Sequence, residues 1–132
     1  MKEPYWLTLE ECLALHDMML SHYGGITGVR DEHLLESALA KPQQLFHYSK
    51  PAMADLAAAY AAGIVKNHPF LDGNKRIAAD CMLTFLVLNR IEPTMDASQL
   101  FEWTMRAAMS EIDRAGLAEL LRQHTKPKRR KK

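Results

Sequence analysis

Nine consecutive residues, His68-Pro69-Phe70-Leu71-Asp72-Gly73-Asn74-Lys75-Arg76, place a base, a carboxylate, a Gly-Asn turn and two cations side by side. Histidine is the ordinary side chain whose unperturbed pKa is near neutrality, so His68 can take a proton from a hydroxyl nucleophile at working pH. Asp72 is a hard oxygen ligand suited to Mg²⁺ that bridges phosphates. Gly73 permits positive φ and close backbone approach, and the N–H groups of Gly73, Asn74 and Lys75 can form an anion nest. Lys75 and Arg76 add full charges beside it, and a guanidinium grips two oxygens at once. Base, metal ligand, anion hole and charge clamp are the main parts of phosphoryl transfer. A plain helix–turn–helix connection would account for His68 alone, but not for the whole ordered set. Pro69 and Phe70 read as structural, fixing the loop and plugging it into the core.

Such a loop works only if its neighbours hold it. The segments on both sides, Asp55 to Lys66 and Ile77 to Leu88, are helical in pattern, so the loop opens onto a helix N-terminus with free N–H groups and the positive dipole end. Asn74 is expected to cap that second helix, 75–89, and also to shape the loop through its side chain; the helix's wide stripe of Ile77, Ala78, Cys81, Met82, Phe85 and Leu86 makes it central. The Ala-rich stretch 52–66 forms the helix before the loop. Upstream, Thr8-Leu9-Glu10-Glu11 has the form of a capping box, and Gly24-Gly25 ends that helix. Asp31 caps a helix bearing Leu34, Leu35, Ala38 and Leu39, which Pro42 is expected to stop. Gln43 to Ser49 then reads as extended or irregular, a short flap or hairpin. Asp96-Ala97-Ser98-Gln99 opens a helix to about Met109, and a last helix spans about Asp113 to Gln123. The expected fold is all-α, a bundle of about six helices with at most a short flap hairpin.

A chain of 132 residues with 48% hydrophobic and 25% charged residues is that of one ordinary globular domain. No apolar run is long enough to cross a bilayer, and Met1 to Trp6 has no stretch of signal-peptide form, so a cytoplasmic location is expected. Cys12 and Cys81 both fall on apolar helical stripes and read as buried thiols. The other histidines, His16, His22, His33, His47 and His124, lack metal-ligand spacing with one another or with the cysteines, which argues against zinc. The net charge of +1 hides an asymmetry: the last seven residues hold six of the 17 cations, leaving 11 against 16 carboxylates and a formal −5 over residues 1–125. An acidic body is unsuited to coating nucleic acid, and only the basic tail, 126–132, offers loose phosphate contacts. That tail is expected to be disordered, outside a domain of residues 1–125.

His68 to Arg76 resembles the signature of the Fic/Doc superfamily, and specifically its Doc (death-on-curing) branch. Gly28-Val29-Arg30-Asp31, the run Leu34 to Gln43 and the run Ala58 to Asn67 are also similar to Doc-type toxins, and the likeness extends from about Leu7 to Leu121. The resemblance implies a helical toxin of a type II toxin–antitoxin pair, using ATP and Mg²⁺ on a Ser or Thr hydroxyl of a target protein. It suggests a component of the translation machinery, such as an elongation factor, as that target. The AMP-transferring branch resembles His-Pro-Phe-x-Asp-Gly-Asn-Gly-Arg-x-x-Arg, whereas this chain has Lys75 at the last glycine and Ala79 at the final arginine. The Doc branch resembles this chain at both places, and there ATP is thought to bind with its γ-phosphate in the nest. The resemblance therefore implies phosphorylation, with AMP transfer as the alternative. Self-inhibited members carry a helix resembling [Ser/Thr]-x-x-x-Glu-[Gly/Asn], but this chain has no Glu-Gly or Glu-Asn dipeptide. Restraint is then expected from a separate antitoxin, folding as a helix on a groove beside the site. A rival from another class is a non-enzymatic module that binds only an antitoxin or nucleic acid.

Overall fold

The computed structural model describes residues 3–128, and the four final residues of the basic tail lie outside it. Among the described residues six helices follow one another: α1 (Leu9–Tyr23), α2 (Glu32–Tyr48), α3 (Met53–Asn67), α4 (Asn74–Leu88), α5 (Ala97–Ala108) and α6 (Arg114–Gln123). Four of their starts follow the local chemistry read from sequence. Thr8 and Asp96 close capping boxes on α1 and α5, while the carboxylates of Asp31 and Asp113 accept from the backbone N–H groups of Leu34 and Gly116. Gly24, at φ 82°, ends α1.

The core forms around α3, which packs against α2, α4, α5 and α6. Its alanines at 54, 57, 58, 59 and 61 are buried, and so is Gly63. Small side chains let the helices come close: a Cβ at Gly63 would lie 3.2 Å from the Ala38 Cα and carbonyl oxygen of α2. α4 shares the centre as expected, burying Ile77, Ala78, Cys81, Met82, Phe85 and Leu86. Tyr60, fully buried in α3, accepts a 2.9 Å bond from the Leu7 N–H and so fixes the strand-like entry to α1. Cys12 and Cys81 are buried free thiols 3.6 Å apart at sulfur, and this contact together with burial pushes the Cys81 thiol well up. Both thiols are packing groups rather than nucleophiles.

Two expectations about the middle and end of the chain need correction. Pro42 does not stop α2, which continues to Tyr48, so Gln43 to Ser49 is no extended flap. Proline within a helix costs about 3 kcal/mol through its missing N–H and its ring. Here Pro42 is itself buried on the Leu35, Ala38 and Leu39 face. The next turn continues that face with Leu45 and Phe46, and Phe46 meets Trp6 edge-on at 5.6 Å. Burial of that extra turn outweighs the local penalty. The single small sheet among the described residues lies elsewhere, with β1 (Ile91–Pro93) pairing antiparallel to β2 (Thr125–Pro127), Ile91 opposite Pro127. Lys126 and Pro127, expected in the tail, are thus strand residues, with Lys126 Nζ 3.4 Å from Glu92.

Candidate active site

The motif loop spans the gap between α3 and α4, and its geometry starts at His68. This residue caps α3 in the left-handed region, at φ 53° and ψ 54°, with its N–H bonded to the Ile64 carbonyl at 2.9 Å. A non-glycine residue held there stores strain, which persists only where the surroundings over-determine it. Those surroundings are the irregular segment after α1. Arg30 donates from Nε to the His68 carbonyl at 2.6 Å and from Nη2 to the Asn67 carbonyl at 2.8 Å. The N–H groups of Arg30 and Asp31 both reach the Pro69 carbonyl, at 2.7 and 3.0 Å. Leu71 N–H in turn donates to the Gly28 carbonyl at 3.1 Å, completing an isolated antiparallel bridge between Val29 and Phe70.

Phe70 is fully buried, as the sequence suggested for a plug. The bridge leaves its own N–H and carbonyl unused, and Asn74 takes both. Asn74 Oδ1 accepts from Phe70 N–H at 2.9 Å, and Nδ2 donates to the Phe70 carbonyl at 2.9 Å. These two bonds fix the amide's orientation, so its remaining N–H points at His68 Nδ1, 3.2 Å away. Nδ1 therefore accepts, and the neutral ring carries its proton on Nε2. Asn74 is not the helix cap that its type suggested. It is the first residue of α4, 3% exposed, and its side chain is turned back into the loop.

Below the loop, His16 of α1 stacks on Phe70, with ring centroids 3.8 Å apart, and its Nε2 donates to the Asp72 carbonyl at 2.9 Å. In the sequence His16 is one of the histidines without metal-ligand spacing and carries no assigned task. Arg30 stands out in the sequence only through the family resemblance. For His16 a signal was present: an imidazole among core residues must find a hydrogen-bond partner. For Arg30 none was, since its acceptors are backbone carbonyls 37 and 38 residues away.

The anion-binding end differs in one detail from the expected nest. Asp72 Oδ1 takes the Gly73 N–H at 2.9 Å, and Oδ2 takes the Ile26 N–H at 3.0 Å. Gly73, at φ 77°, is the N-cap of α4, and no side chain caps the helix. The free donors are therefore the first-turn N–H groups beginning at Asn74, with Gly73's own committed to Asp72. Glycine is favoured at 73 by its positive φ, and a Cβ there would also displace the flexible end of Met19. His68, Asp72, Gly73, Asn74, Lys75 and Arg76, every residue singled out in sequence, line one open cavity of about 290 Å³ together with Leu71 and Phe101.

Two charged groups complete it. Lys75 is exposed at the rim. The Arg76 guanidinium carbon lies 4.0 Å from the ring centre of Tyr23 and 4.2 Å from that of Phe101. One turn further along α4, burial raises the Asp80 carboxyl above its usual range, with the Arg76 charge pulling the other way. Among the described residues, no three His, Cys, Asp or Glu side chains come together to hold a metal. A cation here would be held by the exposed Asp72 carboxylate, whose oxygens keep lone pairs beyond their two backbone bonds, and by ligand phosphates. That donor set fits Mg²⁺, which keeps water and takes one or two carboxylates plus phosphate oxygens.

Comparison with known proteins agrees with this geometry. A family model described as the Fic/DOC family matches residues 6–86. The chain is 33% identical over 114 residues to "Protein kinase doc" of Escherichia phage P1, an alignment covering 86% of this chain and 90% of that protein. It is also 38% identical over 76 residues to "Toxin Doc" of Mycolicibacterium smegmatis, covering 56% and 58% of the two chains.

Proposed function

The chain belongs to the Fic/DOC family, and on that premise we propose that it is the toxin of a type II toxin–antitoxin pair, transferring the γ-phosphate of ATP to a Ser or Thr hydroxyl of a target protein. The observation that carries this reading is the convergence of His68, Asp72, the uncapped start of α4 and Arg76 on one cavity. The name of the phage relative, a protein kinase, supports phosphate rather than nucleotide transfer. So does Ala79, buried at 6% exposure, which leaves no second arginine to hold phosphates outside the reacting position.

In the proposed reaction the hydroxyl oxygen forms a bond to the γ-phosphorus, the bond from that phosphorus to the β–γ bridging oxygen breaks, and ADP leaves. The hydroxyl proton passes to His68. Because the Asn74 amide occupies the Nδ1 lone pair at 3.2 Å, the ring must turn off that amide to accept the proton. That contact is the longest side-chain bond the loop makes among the described residues, so it yields first. The α4 N–H groups, Lys75 and Arg76 neutralise charge on the transferring phosphoryl oxygens. Mg²⁺, held by Asp72 and the phosphates, would supply charge neutralisation between the β and γ groups.

The proposed target lies in the translation machinery, with an elongation factor as the first candidate, and the proposed restraint is a cognate antitoxin seated as a helix beside the cavity. Among the described residues no helix is long and apolar enough to cross a membrane, in keeping with a cytoplasmic site of action. Expression of this chain alone is expected to arrest growth, and co-expression of a small protein from the adjacent reading frame is expected to relieve the arrest. Unimpaired growth with well-folded, abundant protein contradicts the toxin reading and favours a binding module.

A further inference from the structure

We propose that Tyr23 and Phe101 are positioning residues for phosphate binding, acting through Arg76; the inference rests on the phosphate-binding reading of the cavity. Arg76 emerges from the first turn of α4 between the end of α1 and the face of α5. Its guanidinium carbon is 4.0 Å from one ring centre and 4.2 Å from the other, well inside cation–π range. A cation held against ring faces spends none of its N–H donors on a carboxylate, and those donors are what grip an oxyanion.

Burial does not explain Tyr23, which is 60% exposed. It is the last residue of α1, set by the Gly24 cap just before the segment that braces the motif loop. Phe101 comes from α5 and itself lines the cavity. Among the described residues Arg76 forms no ion pair within 4.0 Å, although Asp80 lies one turn away. Aromatic faces, rather than a carboxylate, thus hold this cation, and its donors stay available. An arginine otherwise free in its rotamers is ordered in advance.

The test is calorimetric titration of the full-length chain with Mg²⁺ and either ATP or inorganic tripolyphosphate. Tyr23→Leu and Phe101→Leu keep apolar bulk but remove the π face. Each is expected to weaken binding of both probes about five-fold, the size of one partly exposed cation–π contact. Tyr23→Phe is expected to stay within about two-fold of wild type, because it keeps the ring. In an Arg76→Ala background the leucine substitutions are expected to add nothing, which a merely structural role for the rings would not produce. Unchanged binding in the folded leucine variants overturns the proposal. So does a loss confined to ATP, which would assign the rings to the base, or an equal loss without Arg76. If wild type binds both probes with this ring dependence but transfers no phosphate, the kinase reading falls and the positioning role stands. If wild type binds neither, both fall.

Discussion

His68→Ala is expected to lower phosphate transfer by about 10²–10⁴-fold, the range for loss of a general base, and to abolish growth arrest with it. The substitution isolates chemistry from architecture unusually well. Everything that holds residue 68 in place acts on its backbone: the N–H bonded to Ile64 and the carbonyl held by Arg30. The exposed side chain makes a single hydrogen bond among the described residues, the 3.2 Å contact with Asn74. Losing that contact and placing alanine at φ 53° costs about 1 kcal/mol in stability, too little to unfold the domain. Thermal melting and transfer assays on the same sample separate the two effects. Retained transfer in the folded variant removes His68 from the chemistry.

Asn74→Ala is expected to do both kinds of damage. The amide supplies both hydrogen bonds of the Phe70 peptide groups in a place without solvent access, and it sets the tautomer of His68. Leaving a buried N–H and carbonyl unpaired costs about 1–3 kcal/mol each. A loss of about 2–6 kcal/mol in unfolding free energy by urea titration is therefore expected. Transfer should fall along with it even at temperatures where the variant is fully folded, because Pro69 to Gly73 lose the brace that aims the cavity. Asn74→Asp is the sharper comparison: a carboxylate accepts from Phe70 N–H but cannot donate to the Phe70 carbonyl, and by accepting from a protonated His68 Nδ1 it holds the ring that must turn. It should recover part of the stability and little of the activity. A stable, fully active Asn74→Ala protein would show that the loop is held without the amide.

These cases show where the sequence is informative. Helix starts are legible because a cap is a contact between near neighbours: Thr8, Asp31, Asp96 and Asp113 each satisfy a backbone N–H three residues on. The order of residues in the motif is legible for the same reason, since the groups that do chemistry arrive together along the chain. Pro42 misleads because the rule is local and the outcome is tertiary: Leu45 and Phe46 gain a core that only the folded chain provides. Asn74 misleads only as a cap: an amide at the head of a helix can face the helix or, as its loop-shaping role also requires, the loop. The unpaired Phe70 peptide, created by a bridge to Val29, decides which. His16, Arg30 and Tyr23 lie 45 residues or more before Arg76 in the chain yet meet its loop or its side chain. Strands three residues long carry no periodicity at all, which hides the β1–β2 pair.

Transfer of a terminal phosphate by this loop is read by incubating the chain and Mg²⁺ with a bacterial translation extract. ATP labelled at the γ-phosphate is used in one reaction and at the α-phosphate in another, with His68→Ala run beside each. Label is expected on a protein band from γ-labelled ATP alone, absent with His68→Ala. Label carried over from the α-phosphate would contradict it, showing that a nucleotide is transferred despite Lys75 and Ala79.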